Sequence, residues 1–337
     1  MTSANNNLFR KKGEGSDAII CQLCQHYCTL KPGKTGICGV NTNENGALKN
    51  LVYGHPSALH VDPIEKKPLY HVLPGSKSFS LGTVGCNFQC PFCQNWQISQ
   101  THAIDTSVTV TPGRMVELAR QHDCATIAFT YNEPTIFWPY ARDIADAALE
   151  AGIRSVFVSN GLESKEVVED MKGRIIAANI DLKSYDAGYY KKVLKGNLEG
   201  VLETMKRMKA AGIWVEVTTL VIEGLNDSDE ELGKMAAFIA TELGVETPWH
   251  LSAFHPDYQM LDTQPTSVET LQRAKAIGTA AGLHFIYVGN VPVEHSTYCP
   301  ACGNRLIERH GFGSGAIRIR DDGQCEFCGE TVPGIWS

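Results

Sequence analysis

Three cysteines, Cys86, Cys90 and Cys93, constrain this chain more than any other feature. They are spaced C-x3-C-x2-C in one short stretch, and Phe92 directly precedes the last of them. A cubane iron–sulfur cluster normally takes four thiolates, so a loop that supplies three leaves one iron without a protein ligand. An open coordination position is where a metal centre can do chemistry. The other interpretation is a zinc knuckle that takes its fourth ligand from elsewhere, since C-x2-C pairs are common in zinc sites.

The C-x3-C-x-aromatic-C pattern resembles the signature of the radical S-adenosylmethionine (SAM) enzymes. The wider chain is similar to the radical SAM proteins of the AmmeMemoRadiSam system, which resemble pyruvate formate-lyase-activating enzyme. The resemblance covers roughly residues 18–293. The stretches that carry it, besides the three-cysteine loop, are Cys21-Gln-Leu-Cys, Gly36-Ile-Cys-Gly-Val, Asp62-Pro-Ile-Glu-Lys-Lys-Pro-Leu-Tyr-His and Thr130-Tyr-Asn-Glu-Pro-Thr.

This resemblance implies a [4Fe–4S] cluster on Cys86, Cys90 and Cys93, with the amino and carboxylate groups of SAM on the open iron and Phe92 near the adenine. It implies a one-electron reductant of the flavodoxin or ferredoxin type as a partner. It also implies an association with the Memo-like and AMMECR-like proteins for which the system is named.

Composition narrows the function classes. Hydrophobic residues make up 43% of the chain, which is enough for a full core, and the formal net charge is −7. The acidic balance and the lack of a long basic run argue against nucleic-acid or membrane-surface binding. No run of 18 apolar residues occurs, and residues 1–17 are polar without an apolar leader segment. We therefore expect a cytoplasmic protein whose first 17 residues form a loose tail.

The other cysteines fall mostly into two further groups, which indicates metal sites rather than disulfides in a chain without a secretion signal. The C-terminal group is Cys299, Cys302, Cys325 and Cys328, and the N-terminal group is Cys21, Cys24, Cys28 and Cys38. The C-terminal group forms two C-x2-C knuckles, each followed by glycine, which is typical of tetrahedral zinc, with a rubredoxin-like iron as the second choice. The spacing of the N-terminal group, C-x2-C-x3-C-x9-C, suits zinc or an auxiliary iron–sulfur cluster and does not separate the two, with zinc as the slightly preferred ion.

The middle of the sequence alternates between strand-like and helix-like segments. The predicted strands are Ser78–Val84, Ala125–Thr130, Arg154–Ser159, Ile176–Leu182, Trp214–Val221, Trp249–Phe254 and His284–Val288. Helices are predicted to begin at Thr111 and to span Pro134–Ala151, Ser164–Lys172, Leu198–Ala211, Ser228–Leu243 and Ser267–Ala281. This alternation predicts an α/β fold with a parallel sheet, as a partial or complete (β/α) barrel. The resemblance to the activating enzymes implies the partial, TIM-like (β/α)6 barrel.

These elements divide the chain into four predicted regions. Residues 1–17 are the tail, and 18–75 hold the N-terminal four-cysteine module and a connector. Residues 76–293 form the barrel, and 294–337 form a module that resembles a zinc ribbon. Small cysteine-rich modules of this kind gain their stability from metal binding.

Polar residues follow the predicted strands at their carboxyl ends, where parallel barrels place their chemistry. The candidate site residues, besides the cysteines and Phe92, are Asn132, Glu133, Asn160, Asp181, Lys183 and His255. Glu133 can accept from the SAM amino group, Asp181 can take ribose hydroxyls, and Lys183 can donate to the methionyl carboxylate. The resembled family uses a Gly-Gly-Glu stretch for the amino group, whereas this chain has Tyr131-Asn132-Glu133.

Each of these residues also has an ordinary structural interpretation. Glu133 suits a helix N-terminus, and Asp181 with Lys183 suits a salt bridge. Asn160 suits a turn, and a lone histidine such as His255 is more often structural than a proton donor or substrate hook. The stretch from Asp62 to His71 suits an exposed charged loop, which the resemblance makes a candidate substrate-side element.

Together these features predict a radical SAM enzyme that cleaves SAM reductively to a 5′-deoxyadenosyl radical, which takes a hydrogen atom from a protein or small-molecule substrate. A glycyl-radical activase is one form of this activity. The alternatives are a non-catalytic zinc-binding interaction protein and a radical SAM enzyme that modifies RNA. The acidic balance argues against the RNA enzyme.

Overall fold

The computed structural model describes residues 8–337. The strands are β1 (Phe9–Lys11), β2 (Ile19–Cys21), β3 (Thr29–Leu30), β4 (Asn41–Glu44), β5 (Ala47–Asn50), β6 (Ala58–Pro63), β7 (Lys77–Gly82), β8 (Thr126–Phe129), β9 (Arg154–Ser159), β10 (Ile175–Asp181), β11 (Trp214–Val221), β12 (Trp249–Ala253), β13 (Ile286–Gly289), β14 (Thr297–Tyr298), β15 (Arg305–His310) and β16 (Gly313–Ile317). The α-helices are α1 (Trp96–Ser99), α2 (Pro112–Gln121), α3 (Trp138–Glu150), α4 (Lys165–Met171), α5 (Ala187–Tyr189), α6 (Leu198–Ala210), α7 (Asp229–Phe238) and α8 (Val268–Ala280).

The centre of the fold is a sheet in which strands β7 to β13 run parallel, in the order in which they occur along the chain. These strands confirm the parallel α/β fold that the alternating pattern predicts. Strand β13 pairs with β12, so the parallel set continues one strand beyond the six of the expected (β/α)6 barrel. Within the described residues the strand order is linear, from β13 to β6, and the sheet therefore stays open.

Strand β6 closes one edge of this sheet and was assigned to the connector by sequence. It runs antiparallel to β7, with Ala58 opposite Gly82 and Pro63 opposite Lys77. This strand contains a proline and a charged residue, which are tolerated at the edge of a sheet but do not give the apolar pattern by which strands are predicted. The connector therefore contributes a strand to the barrel sheet.

The prediction that residues 1–17 form a loose tail is wrong for residues 8–11. Strand β1 pairs antiparallel with Ile19–Cys21, and Leu8 before it is only 2% exposed. Burial of Leu8 and the backbone pairing outweigh the polar composition of this stretch. Residues 1–7 of the predicted tail lie outside the described part of the chain.

The helices begin where the sequence places them, with small changes. Thr111 accepts a hydrogen bond from Arg114 N before α2, and Ser228 accepts one from Glu231 N before α7, as N-caps do. The helix predicted from Pro134 begins as a 3₁₀ turn (Pro134–Phe137) that leads into α3. Among residues 8–337, no helix is long and apolar enough to cross a membrane.

The two cysteine modules pack on the sheet from different sides. The C-terminal one is a three-stranded sheet, β14-β15-β16, whose Arg309 is buried and donates to the carbonyl oxygen of Tyr70 at 2.6 Å. In the N-terminal one, the backbone of Cys24 bridges to Glu163, just after β9. The two modules thus contact different parts of the fold.

Candidate active site

A cavity of about 480 Å³ lies at the carboxyl ends of β7 to β11. It is lined by the three cysteines of the loop after β7 and by each of the predicted SAM-contact residues. These are Cys86, Cys90, Cys93, Phe92, Asn132, Glu133, Asn160, Asp181 and Lys183. Because successive parallel strands end at the same edge, residues that lie far apart in sequence meet here.

The three-cysteine loop is held by close backbone packing. Gly85 has a φ of +87°, and a Cβ at this position would lie 2.5 Å from the carbonyl oxygen of Cys38. The Phe88 N–H donates to the Cys86 sulfur at 3.4 Å, and the Cys93 sulfur lies 3.1 Å from Ser99 Oγ. Glycine is therefore required at position 85, both for its backbone conformation and for the close approach.

The spacing of the three sulfurs fits a polynuclear cluster better than a single metal ion. Around one zinc ion, four thiolates at about 2.3 Å lie about 3.8 Å from each other. Among the described residues, only the C-terminal cysteines bring three or more potential ligand atoms within 4.8 Å of one another. The sulfurs of Cys86, Cys90 and Cys93 are thus spread more widely than a zinc knuckle requires, as the corners of a larger cluster would be.

Glu133 lies at the acidic side of the cavity and is 1% exposed. Its carboxylate accepts hydrogen bonds from Thr135 N at 2.9 Å, Asn160 N at 2.8 Å and the Ser159 hydroxyl at 3.0 Å. Burial raises the pKa of Glu133, although these donors oppose the shift. The residue caps the turn that begins at Pro134, so the helix-cap interpretation holds together with its position in the cavity.

A second buried carboxyl, that of Glu163, accompanies Glu133 and escaped the sequence analysis. The Ser159 hydroxyl contacts both carboxylates, and Glu163 Oε2 is buried without a hydrogen-bond partner. Burial, followed by the charge of Glu133, raises the pKa of Glu163 to about 8. Two adjacent buried carboxyls favour one shared proton. The sequence does not predict such a pair, because the two residues come together only in the folded structure.

The basic side of the cavity contains the pair Asp181 and Lys183. Lys183 Nζ lies 2.7 Å from Asp181 Oδ2 and 6.0 Å from the centre of the Phe92 ring. Burial alone would lower the pKa of Lys183, but the neighbouring Asp181 carboxylate raises it above the ordinary value. The salt-bridge interpretation is correct in geometry, and the pair also faces the cavity.

Two asparagines predicted to contact the cofactor use their amides to hold the cysteine loop. Asn132 Nδ2 donates to Gly85 O at 2.8 Å, and its Oδ1 accepts from Thr83 N at 3.1 Å. Asn160 Nδ2 donates to Asn87 Oδ1 at 2.7 Å. Both residues line the cavity, but their side chains already have partners in the loop.

The stretch from Asp62 to His71 is buried, so its interpretation as an exposed loop is wrong. Lys67 is 2% exposed and lies 2.6 Å from Asp62 Oδ2, which also accepts from the Tyr131 hydroxyl at 2.6 Å. Burial alone would raise the pKa of Asp62, but its bonds to Lys67, Tyr131 and Lys66 lower it instead. The pairing of opposite charges is what allows this stretch to be buried.

Tyr131 occupies a backbone conformation that usually needs glycine. Its φ is +72°, where the resembled family has glycine in its Gly-Gly-Glu stretch. A left-handed conformation costs a non-glycine residue about 1–2 kcal/mol. The hydroxyl bond to Asp62, and Lys67 Nζ at 4.7 Å from the ring centre, hold the side chain in place. Tyr131 thus adopts a left-handed conformation of the kind that glycine adopts without strain.

His255 lies outside the cavity. The side chain is exposed, and its Nε2 lies 3.2 Å from the carbonyl oxygen of Asn290. Instead, the last two parallel strands contribute Ser252 and Asn290, and Phe312 of the C-terminal module also reaches the cavity wall. His255 lies two residues beyond the end of β12, and strand alternation predicts the direction of side chains only within the strand. The alternation therefore does not place His255 in the cavity.

The C-terminal cysteines form a compact site. Cys299 Sγ lies 3.7 Å from Cys328 Sγ, and Cys302 Sγ lies 3.8 Å from Cys325 Sγ. These distances match the separation of about 3.8 Å around one tetrahedral ion. The arrangement therefore suits a single thiolate-bound metal ion.

Comparison with known proteins agrees with the geometry of the cavity. The sequence description of the Radical SAM superfamily matches residues 80–238, which include the three-cysteine loop and strands β8 to β11. An uncharacterized protein of Methanocaldococcus jannaschii is 42% identical over 318 residues, covering 93% of this chain and 95% of that protein. The chain belongs to the radical SAM superfamily. Membership implies a [4Fe–4S] cluster and SAM.

More distant relatives of this radical SAM protein have named activities. A putative glycyl-radical enzyme activating enzyme of M. jannaschii is 21% identical over 207 residues, covering 60% of this chain and 77% of that protein. A probable GTP 3′,8-cyclase of Methanococcus aeolicus is 21% identical over 258 residues, covering 71% of this chain and 84% of the cyclase.

Among solved structures, Streptococcus suis SuiB bound to the precursor peptide SuiA shares the fold. The TM-score is 0.51 at 14% identity, and the match covers 67% of this chain and 51% of SuiB. This chain therefore matches about half the length of SuiB.

Proposed function

We propose that this protein cleaves SAM reductively and uses the product to abstract a hydrogen atom from a substrate. The observation that carries the proposal is the convergence in one cavity of three cysteines without a fourth ligand, the buried acid Glu133 and the partly buried Lys183. When bound, a reduced [4Fe–4S] cluster and SAM supply the 5′-deoxyadenosyl radical for this reaction.

The chain's own residues divide the task of holding SAM. Glu133 offers a buried carboxylate to an ammonium group, and Lys183 offers an ammonium group to a carboxylate. Asp181 is the acceptor available to ribose hydroxyls, and the Phe92 ring, 5% exposed, is an apolar ledge for the adenine. Because Glu133 would accept from the ammonium group and Lys183 would donate to the carboxylate of the same amino-acid moiety, the two residues together would orient that end of the cofactor.

The substrate is proposed to enter from the side of the last strands. A second cavity of about 330 Å³ shares Thr218, Ser252, Asn290 and Phe312 with the first. Its wall includes Tyr70 and His250, and Gly311 and Phe312 of the C-terminal module also line it. A substrate bound in this space would help to exclude water from a reactive intermediate, which is one contribution of the protein in cofactor enzymes.

A glycyl-radical activase is the more specific candidate. It is supported by the relationship to a putative glycyl-radical enzyme activating enzyme. In this form of the activity the substrate is the backbone of a partner protein, and the product is a stable radical that electron paramagnetic resonance would detect. The association with Memo-like and AMMECR-like proteins, a flavodoxin- or ferredoxin-type reductant and a cytoplasmic location stay predictions.

We further propose zinc as the ion of the C-terminal site. Four thiolates at tetrahedral spacing are the preferred environment of structural zinc. The small module around them has few buried apolar residues of its own and packs on Tyr70, Phe285 and Tyr287.

The test is SAM turnover by anaerobically reconstituted protein with dithionite. The wild type should produce 5′-deoxyadenosine and methionine, and Cys90→Ala should produce neither. Cys124→Ala is the matched control, because Cys124 is buried and belongs to none of the three cysteine groups. Failure of the fully loaded wild type to cleave SAM would overturn the proposal.

A further inference from the structure

The N-terminal cysteines come from separate short segments yet gather in one place. Cys21, Cys24 and Cys38 are each 7% exposed, Cys28 is partly exposed, and all four are free of disulfides. The backbone N–H of Cys21 donates to the carbonyl oxygen of Cys28 at 3.0 Å, and a Cβ on Gly36, two residues before Cys38, would lie 3.5 Å from Cys28 Sγ. Four thiols gathered in one small module, three of them buried, indicate a shared ligand.

Their spacing excludes the compact arrangement of the C-terminal site. Among residues 8–337, the C-terminal group is the one in which three or more potential ligand atoms all lie within 4.8 Å of one another. No three sulfurs of the N-terminal group meet that limit, although zinc would require about 3.8 Å. In this respect the N-terminal group resembles the open loop of Cys86, Cys90 and Cys93.

Two side-chain amides lie close to these cysteines. Asn41 Nδ2 donates to Cys38 Sγ at 3.5 Å. Asn87 Nδ2 is buried and makes no hydrogen bond. Hydrogen bonds to ligand sulfurs are characteristic of iron–sulfur sites, where they adjust the reduction potential.

The group also lies directly beside the three-cysteine loop. Asn87 follows Cys86 in sequence, and its carbonyl oxygen is 3.0 Å from His26 Nε2. The Cys38 carbonyl packs against Gly85 so tightly that no side chain fits between them. The segment Gly85–Asn87 therefore contacts both groups of cysteines.

We propose that Cys21, Cys24, Cys28 and Cys38 ligate a second iron–sulfur cluster, with a protein thiolate on each of four irons. With no open iron, this cluster makes and breaks no bonds and only accepts and passes one electron at a time. The electron comes from a low-potential, one-electron donor of the ferredoxin type and leaves to the neighbouring open-site cluster. The proposal does not depend on SAM cleavage.

The test counts metals in the full-length chain with Cys86, Cys90 and Cys93 all replaced by alanine. After anaerobic reconstitution, this variant should keep about four irons, four sulfides and a broad visible absorbance. Further replacement of Cys24 and Cys38 by alanine should remove the iron and sulfide and keep the C-terminal metal. A triple variant that contains zinc at the N-terminal site and no sulfide would overturn the proposal.

The iron content of the wild type provides a second test that does not depend on whether the variants fold. The reconstituted wild type should contain about eight irons if both groups hold [4Fe–4S] clusters, and about four if only the open site does. The lower count would contradict the second cluster while leaving the proposed SAM chemistry intact. Loss of SAM cleavage with eight irons present would contradict the proposed function instead.

Discussion

The two four-cysteine modules at the ends of this chain begin from similar sequence motifs and end in different geometry. Both contain C-x2-C, but the C-terminal sulfurs pair at 3.7 and 3.8 Å, whereas no three N-terminal sulfurs lie within 4.8 Å. The C-terminal group is partly exposed at Cys302 and Cys328, and the N-terminal group is mostly buried. Spacing along the chain thus predicts a metal site, while the distances between sulfurs bear on whether that site suits a single ion or a larger cluster.

The two modules also differ in what they touch. The C-terminal module contributes Phe312 to the walls of both cavities, next to Ser252 and Asn290 of the last two parallel strands. The N-terminal module contacts the cysteine loop itself through Asn87. We therefore expect the first to serve structure and access, and the second to serve the supply of electrons.

The largest expected effect is the loss of the C-terminal metal in Cys325→Ala, which removes a fully buried ligand. Metal binding contributes about 10 kcal/mol or more to small modules of this type. We expect zinc content to fall to background and residues 294–337 to become sensitive to protease, with iron unchanged. Metal analysis and limited proteolysis measure both. A parallel fall in iron would show that the two modules are not independent.

A smaller effect is expected from Lys183→Met at the cofactor cavity. Loss of one charge-assisted hydrogen bond of about 1.5–3 kcal/mol should weaken SAM binding by roughly 10–100-fold. Equilibrium dialysis on reconstituted protein gives the dissociation constant. The double variant Asp181→Asn with Lys183→Met controls for the carboxylate that the single change leaves unpaired. Lys234→Met, which breaks an exposed pair with Glu230, should leave SAM affinity unchanged. Unchanged affinity in Lys183→Met would contradict a role of Lys183 in SAM binding.

On the N-terminal side of the cavity, Glu163→Gln should alter how stability depends on pH. Folding raises the Glu163 pKa from 4.5 to about 8, so between these values the folded protein binds more protons than the unfolded chain. The free energy of unfolding therefore falls as pH rises through this window, by at most ~1.4 kcal/mol per pH unit.

The Glu163→Gln variant cannot ionise and should show a flatter profile, with higher stability near pH 8. Thermal unfolding of the metal-loaded protein across this window measures the difference. Glu169→Gln, with its side chain 71% exposed on the same helix region, is the control and should follow the wild type. Parallel profiles for Glu163→Gln and the wild type would contradict the shared-proton arrangement with Glu133.

The smallest effect is expected on the C-terminal side, from His255→Ala. The side chain is exposed and lies outside both cavities. SAM cleavage should stay within about 2-fold of the wild type, since surface substitutions usually change stability by under 0.5 kcal/mol. A larger loss of turnover, at unchanged metal content, would restore His255 as a candidate proton donor.

The sequence predicted the elements that depend on local pattern. The parallel strands, the caps at Thr111 and Ser228, and the convergence of Glu133 and Lys183 follow from periodicity and from the rule that parallel strands end at one edge. Each of these depends on residues that lie close together in sequence or on a general property of the fold.

The remaining features depend on contacts between distant segments. Strand β6 forms because the edge of β7 is free, and Lys67 is buried because Asp62 and Tyr131 meet it. Glu163 becomes part of the site only through Ser159. Contacts of this kind between distant segments produce no periodic pattern in the sequence, so they are not predicted from a single sequence.

The central claim is an iron–sulfur cluster whose open position takes SAM. Electron paramagnetic resonance of the dithionite-reduced protein, recorded with and without SAM, tests it most directly. The account predicts that SAM changes the signal of the wild type but not the signal that persists when Cys86, Cys90 and Cys93 are all replaced by alanine. A wild-type spectrum that is identical with and without SAM would contradict the claim.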